Sequence, residues 1–191
     1  MEIDYSNYFW QNEKVRLRRA TADDWDMFYY NYFDSDARFF LDNEIELPGN
    51  EENAKEHWCN FIENTEKSRN FAFTTETLDG KKVGGAYLNS IDERNGTFGI
   101  GIVVDRNSRG KGYGFFTMKI ILNYAFNERR LHKYNTFVVE GNIASETMMK
   151  KLGCKYEGTR RENIYHKGKY WNEIHYGITA SEFNEKWNSQ Q

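Results

Sequence analysis

The segment 108–114, Ser-Arg-Gly-Lys-Gly-Tyr-Gly, sets Gly110, Gly112 and Gly114 on alternate positions with the cations Arg109 and Lys111 threaded among them. Glycine lets a backbone approach a ligand that a Cβ would hold away, and Arg and Lys add charge-assisted hydrogen bonds. Before this loop, "TFGIGIVVD" (97–105) reads as a strand. After it, "FFTMKIILNYAFNERR" carries the apolar density of a largely buried helix that starts near Tyr113. Loop amides then converge on the positive end of a helix dipole, which makes a cradle for an anion. Spacing excludes two such cradles. A nucleotide P-loop needs Ser or Thr after Gly-Lys, and Gly112 follows Lys111; a dinucleotide fingerprint needs a glycine three residues past Gly112, where Phe115 stands.

The elements that position this loop follow from periodicity. "VRLRRA" (15–20) alternates as a half-exposed strand, and Thr21 with Asp24 three positions on forms a capping-box-like start for a helix through "ADDWDMFYYNYF" (22–33). A second helix fits 50–67, where Ala54, Trp58, Phe61 and Ile62 recur at helical spacing. The period then changes to two for "FAFTTET", "VGGAYLNSI" and "TFGIGIVVD", an antiparallel meander with turn chemistry at "LDGKK" and "DERNG". Beyond the loop helix come a strand at 133–140, a helix "NIASETMMKKLG" with Asn142 as N-cap and Gly153 as its stop, and two strands meeting at Lys167-Gly168. Ser181 is read as the cap of a short last helix. The order implies one α+β domain (1–191, core about 15–180), a central twisted and mostly antiparallel sheet flanked by helices.

Composition narrows the function classes. The 191 residues contain no apolar run near the ~20 residues of a membrane span, and "MEIDYSNYFW" lacks the order of a secretory signal, so a soluble cytoplasmic protein is expected. Cys59 and Cys154 stand in unrelated contexts and the four histidines are scattered, so neither a disulfide nor a metal is expected. The net charge of −3 conceals a separation: 13 carboxylates face two cations between Asp23 and Glu66, while 12 Lys and Arg face four Glu between Arg106 and Arg161. Fields of opposite sign can hold an anion at one place and a cation at another. The basic segment interleaves its charges with the loop glycines and offers no aromatic stacking platform, so nucleic acid is not the expected partner.

The pattern Arg109-x-x-Gly112-x-Gly114, within its run of strand, loop, apolar helix, strand, "EGNIASETMMKKLGCKYEG" and closing hairpin, resembles the GNAT superfamily of N-acetyltransferases over residues 15–180. Asn142-x-x-Ser145, the Leu152-Gly153 pair and the "YHKGKYWNEIHYGI" ending are similar to the branch of ribosomal-protein N-terminal and spermidine acetyltransferases. The resemblance implies acetyl-coenzyme A as co-substrate. Its phosphates would meet the backbone at Gly110, Lys111, Gly112, Tyr113 and Gly114, with Arg109, Lys150 and Lys151 nearby. Its pantetheine arm would pair with Ile102, Val103 and Val104 on a strand splayed from its neighbour, an opening that a bulge at Gly99 and Gly101 would favour. Asn142 would contact the cofactor from the next helix. The branch also suggests a homodimer, with a small amine or a protein N-terminal amine as acceptor; the lack of a long apolar run already speaks against a membrane partner.

Acyl transfer needs a neutral amine, a donor to the oxyanion and a proton for the departing thiolate. A backbone amide near Val103 meets the second need. Many relatives place a tyrosine acid where this chain has Met149 and a glutamate base where it has Gly99, so both positions are empty here. Ser145 is the remaining acid candidate, with Glu162, Tyr165, Tyr30 and Tyr32 as further residues for the acceptor end. The acidic segment falls at the family's acceptor mouth and points to a cationic amine. The alternative from another class is a catalytically silent coenzyme A-binding protein.

Overall fold

A computed structural model describes residues 3–67 and 70–187. Seven strands, β1 (Val15–Arg19), β2 (Phe71–Thr77), β3 (Lys82–Asp92), β4 (Thr97–Val104), β5 (Lys133–Val139), β6 (Lys155–His166) and β7 (Lys169–Thr179), form one sheet in the order β1-β2-β3-β4-β5-β7-β6. Every pairing is antiparallel except β4 with β5. The helices are α1 (Trp25–Asn31), α2 (Ser35–Asp42), α3 (Glu51–Lys67), α4 (Tyr113–Asn123), α5 (Ile143–Leu152) and α6 (Ala180–Trp187). The mixed α/β fold anticipated from the order of elements is the one observed.

The main core lies on the face covered by α4, α5 and α6. Met118, Ile121 and Leu122 of α4, Leu152 of α5 and Phe183 of α6 pack there on Leu17, Leu88, Phe98 and Ile178 of the sheet, all at most 1% exposed. Burying each such side chain contributes about 1.5–3 kcal/mol. The opposite face of the sheet carries α1, α2 and α3.

Three local expectations change. The helix read over 22–33 is a 3-10 turn (Ala22–Asp24) leading into α1, and a separate helix α2 follows it. Asp34 makes the break: its Oδ1 accepts from the Ala37 amide at 3.2 Å and so begins α2, which Asn43 ends at φ 63°. The last helix is capped by Thr179, which exchanges hydrogen bonds with Glu182, while Ser181 lies inside it. The bulge expected at Gly99 and Gly101 is on β3 instead, where Ser90 (φ 51°) and Ile91 stand opposite Phe98 alone; the two glycines pair regularly with Asn89 and Tyr87.

The capping box at Thr21 and Asp24 is present. Asp24 is fully buried and accepts from Arg18 (2.7 Å), Thr74 Oγ1 (2.8 Å), Lys82 Nζ (3.0 Å) and the Thr21 amide (2.9 Å). Burial alone pushes this carboxyl up, but the donors around it hold it far below the usual carboxylate range.

Candidate active site

The opening in the sheet is set by register. β4 and β5 pair only at Thr97↔Lys133 and Phe98↔Tyr134, after which no β5 partner faces residues 99–104 of β4. An edge of unpaired backbone groups inside a sheet is a binding surface for an extended ligand. Side chains on the two faces of that edge go to two different places. Ile102 and Val104 point toward the start of α4, where a Cβ on Gly114 would stand 3.8 and 3.3 Å from them. Gly101 and Val103 floor a cleft on the other face.

The glycine-rich loop has the conformation its composition requires. Asp105 Oδ2 accepts from the Asn107 amide and the Ser108 hydroxyl, which shapes a short 3-10 turn (Arg106–Ser108). Gly110 (φ 76°) and Gly112 (φ 85°) then take left-handed backbone that an L side chain resists. Gly112 is the N-cap of α4 and offers no side-chain oxygen, so the first amide satisfied within the helix is that of Phe116, which donates to Gly112 O. Among the described residues, none of the seven amides from Arg109 to Phe115 donates to a protein acceptor. Donors at the positive end of an eleven-residue helix suit a polyanion such as a diphosphate.

The side chains expected around the loop are only partly free to join it. Arg109 donates from Nε to Val104 O at 3.0 Å and from Nη1 to Asp34 Oδ2 at 2.8 Å, tying the loop to α2. Of the three backbone segments expected to pair with a ligand, Val104 therefore has its carbonyl occupied. Lys111 Nζ donates to Asn107 O at 3.2 Å. Lys150 pairs with Glu146 one turn back at 2.6 Å, and Lys151 lies 4.2 Å over the Phe115 ring. Asn142 caps α5, its side chain accepting from the Ser145 amide at 3.1 Å. The half-buried Ser145 hydroxyl makes no hydrogen bond with a described residue.

The cleft, about 700 Å³, lies between α1, α2, α3 and the β3–β4 floor. Its wall is a continuous run of rings: Phe28 stacks on Trp58 (centroids 4.0 Å, 21° between planes), Trp58 meets Phe61 at 5.4 Å, and Phe61 meets Tyr87 edge-on at 5.0 Å. Trp58 Nε1 donates to Thr21 O at 2.8 Å and fixes that ring. Phe28 can lie this low because Gly85 lacks a Cβ, which would stand 2.4 Å from Phe28 Cζ. Trp58 and Phe61, read from spacing as the buried stripe of a helix, are thus cleft residues, and nothing in their spacing distinguishes the two roles. Tyr32 also lines the cleft, with the Arg38 guanidinium 3.9 Å over its ring.

Both positions that the sequence left empty have a structural occupant. Where a Cβ of residue 99 would project, the Asn89 carboxamide lies instead, its Oδ1 2.8 Å from that point and its Nδ2 3.8 Å from the corresponding point on Gly101. Asn89 Oδ1 accepts from Ser90 Oγ and Nδ2 donates to Tyr87 O. Met149 is 2% exposed and belongs to the main core. Tyr30 and Tyr165 are exposed and outside the cleft, as is Glu162, whose amide donates to Asn172 Oδ1. Burial pushes the Cys154 thiol up to about 12, which leaves it protonated and unreactive near neutral pH.

The acidic segment is less free than its count suggests. Asp24 is buried among its donors, Asp34 pairs with Arg109, Asp36 with Lys167 at 2.8 Å, and Asp42 with Arg38. Burial raises the Asp42 carboxyl even beside Arg38. Among the described residues, only Asp42 and Glu46 of the carboxylates line the cleft. Among the described residues no group of His, Cys, Asp or Glu could hold a metal ion, and no helix is long and apolar enough to cross a membrane.

One strand thus separates a cradle suited to a polyanion from an aromatic cleft, and its bare edge runs between them. Residues 14–155 match the "Acetyltransferase (GNAT) domain" family, to which the chain belongs; it is an acetyltransferase. It is 29% identical over 175 residues, 92% of this chain and 95% of the relative, to the SPbeta prophage-derived uncharacterized N-acetyltransferase YokL of Bacillus subtilis (strain 168). Among solved structures it shares its fold with spermidine N-acetyltransferase from Vibrio cholerae, in complex with CoA and spermine (TM-score 0.78, 19% identity, 90% of this chain and 99% of that one). The ribosomal-protein-S5-alanine acetyltransferase of Vibrio fischeri is similar too (TM-score 0.72, 18% identity, 91% and 97%).

Proposed function

We propose that the chain transfers the acetyl group of acetyl-coenzyme A to a primary amine by direct attack within a ternary complex. The observation that carries this reading is the position of β4, whose bare edge at 99–103 is flanked by the donor-rich loop on one side and floors the cleft on the other. Acetyl-coenzyme A supplies an activated acetyl thioester. The amides of Gly110, Lys111, Gly112, Tyr113 and Gly114 would hold its phosphates, with Lys150 and Asn142 on the neighbouring helix, and the backbone of Ile102 and Val103 would align its arm. Arg109 would join them by leaving Asp34.

Residues of this chain then position the exchange. The amine nitrogen bonds to the thioester carbon, the carbon–sulfur bond breaks, and the thiolate leaves with its electron pair. An amide at Val103 would donate to the oxygen on which charge develops. Asn89 carries no titratable group, so it can orient the amine but cannot take its proton, and we assign that proton to solvent. Ser145, whose hydroxyl is unbonded, would protonate the thiolate; a thiol of ordinary pKa near 8.5 departs with help from water as well. On these grounds Ser145→Ala lowers kcat by less than about tenfold, below the roughly hundredfold or more of an obligatory general acid, because water can protonate the thiolate in its place.

The acceptor is an amine of a small molecule or of a protein N-terminus, and the names of the structural neighbours include a small polyamine and a ribosomal-protein alanine. Thiol release from acetyl-coenzyme A over a panel of primary amines tests the proposal. Release that depends on the amine supports it; melting-temperature stabilisation by acetyl-coenzyme A without release for any amine would identify a silent binder instead.

A further inference from the structure

We infer that the acceptor is a small primary amine carried on a flat, apolar body, an arylalkylamine and not a polyamine. The inference rests on the acetyl-transfer reading above and specifies the substrate of the same site. Its basis is the contrast between the charge of the segment that builds the cleft and the surface the cleft presents. Of the thirteen carboxylates between Asp23 and Glu66, two line the cleft among the described residues, and Asp42 is already paired with Arg38. Glu46 is left as the one lining carboxylate with no ion pair among the described residues. A polyamine would bring two or three ammonium groups to that single charge, and an ammonium taken from water without a partner is strongly disfavoured.

The ring wall has the complementary character. Phe28, Trp58, Phe61 and Tyr87 are in successive contact from α1 across α3 to β3, held by the Trp58–Thr21 hydrogen bond and by the seat at Gly85. A preformed aromatic surface binds a planar apolar group by offset or edge contact at little ordering cost. At the floor, where Tyr87 pairs with Gly101 of β4, the Asn89 carboxamide faces the glycine pair. Its Oδ1 accepts one hydrogen bond from Ser90 and retains a second lone pair. A neutral amine donating there keeps its own lone pair for the thioester beside β4. Asn89 is thus a positioning residue at the polar end of an apolar slot.

The test compares kcat/KM for 2-phenylethylamine, n-butylamine and spermidine at saturating acetyl-coenzyme A, read as thiol release. We expect 2-phenylethylamine to exceed both others at least tenfold, and Phe61→Leu to reduce its advantage over n-butylamine about tenfold, in a variant that acetyl-coenzyme A still stabilises. Spermidine used as well as or better than 2-phenylethylamine, a peptide N-terminus used better than either, or an unchanged phenylethylamine-to-butylamine ratio in Phe61→Leu would overturn the assignment while leaving acetyl transfer intact. No thiol release with any amine would overturn acetyl transfer itself. If Phe61→Leu fails to fold, the ranking of the three amines by the natural protein decides alone.

Discussion

Replacing Gly112 by alanine separates what the loop does for the fold from what it does for a bound anion. Gly112 sits at φ 85° and its missing Cβ would meet only Phe116, at 3.7 Å, so no packing clash opposes the substitution. The cost to folding is then the left-handed backbone alone, about 1–2 kcal/mol for an L residue. For a chain of this size that is a fall of roughly 2–8 °C in melting temperature. Gly80, in the turn between β2 and β3, provides the matched control: its φ is 89° and nothing lies within 4 Å of its missing Cβ. Gly80→Ala and Gly112→Ala should lose similar stability. Only Gly112→Ala adds a methyl group and a backbone shift at the fan of amides from Arg109 to Phe115. Losing one charge-assisted hydrogen bond costs about 1.5–3 kcal/mol, which is roughly ten- to a hundredfold in the dissociation constant for acetyl-coenzyme A. Calorimetric titration of both variants measures this, with thermal melts of the free proteins alongside. Equal affinity of Gly112→Ala and the natural protein would refute the assignment of the loop as the phosphate site.

Four further outcomes follow from the same contacts. Asp34→Asn keeps the cap to Ala37 but removes the carboxylate that holds Arg109, so the dissociation constant for acetyl-coenzyme A should fall a few-fold by titration; a rise would mean that the ion pair itself builds the site. Asp24→Ala removes the buried carboxylate shared by Arg18 and Lys82; because Arg18 keeps Glu76 and Lys82 keeps Asp26, it should cost about 1–3 kcal/mol in denaturant melts. Because the Asp24 carboxyl is held below its unfolded value of 3.8, its stabilisation is complete above about pH 5 and is lost progressively as pH falls through 3.8 and below, which denaturation between pH 3 and 7 would reveal. Met149→Tyr restores a proton donor to the sequence pattern but inserts it into the main core, so it should cost about 1–3 kcal/mol and give no gain in kcat.

The sequence showed the sheet, the loop and both ends of α5 clearly because each has a strong local cause. Gly110 and Gly112 are needed for backbone sign, Asn142 and Gly153 for the two ends of α5, and the Lys167-Gly168 turn for two successive positive φ values. Sequence periodicity ends the first helix at Phe33 but shows no α2, because the eight residues from Ser35 to Asp42 are too short a run to show a helical period and Asp34 reads as a stop and not as the cap of a new helix. The site was half legible. Its anion cradle is written in consecutive residues, whereas its acceptor cleft joins Phe28, Trp58, Phe61 and Tyr87 across three elements, and each alone reads as core. Asn89 carried no signal at all: its role exists only because β3 lies beside the bare Gly99 and Gly101. Carboxylates counted along the chain overstated the charge of the cleft, since Asp24, Asp34, Asp36 and Asp42 find partners that are distant or unremarked in sequence.

The pH dependence of kcat/KM for a primary amine at saturating acetyl-coenzyme A tests most directly whether transfer rests on positioning without a base of the protein. With Asn89 where a glutamate base would stand, the logarithm of kcat/KM should rise with unit slope toward the amine's own pKa, about 10 for an alkylammonium. A plateau reached near pH 6–7, set by a group of the protein, would reveal a dedicated base and contradict transfer by positioning.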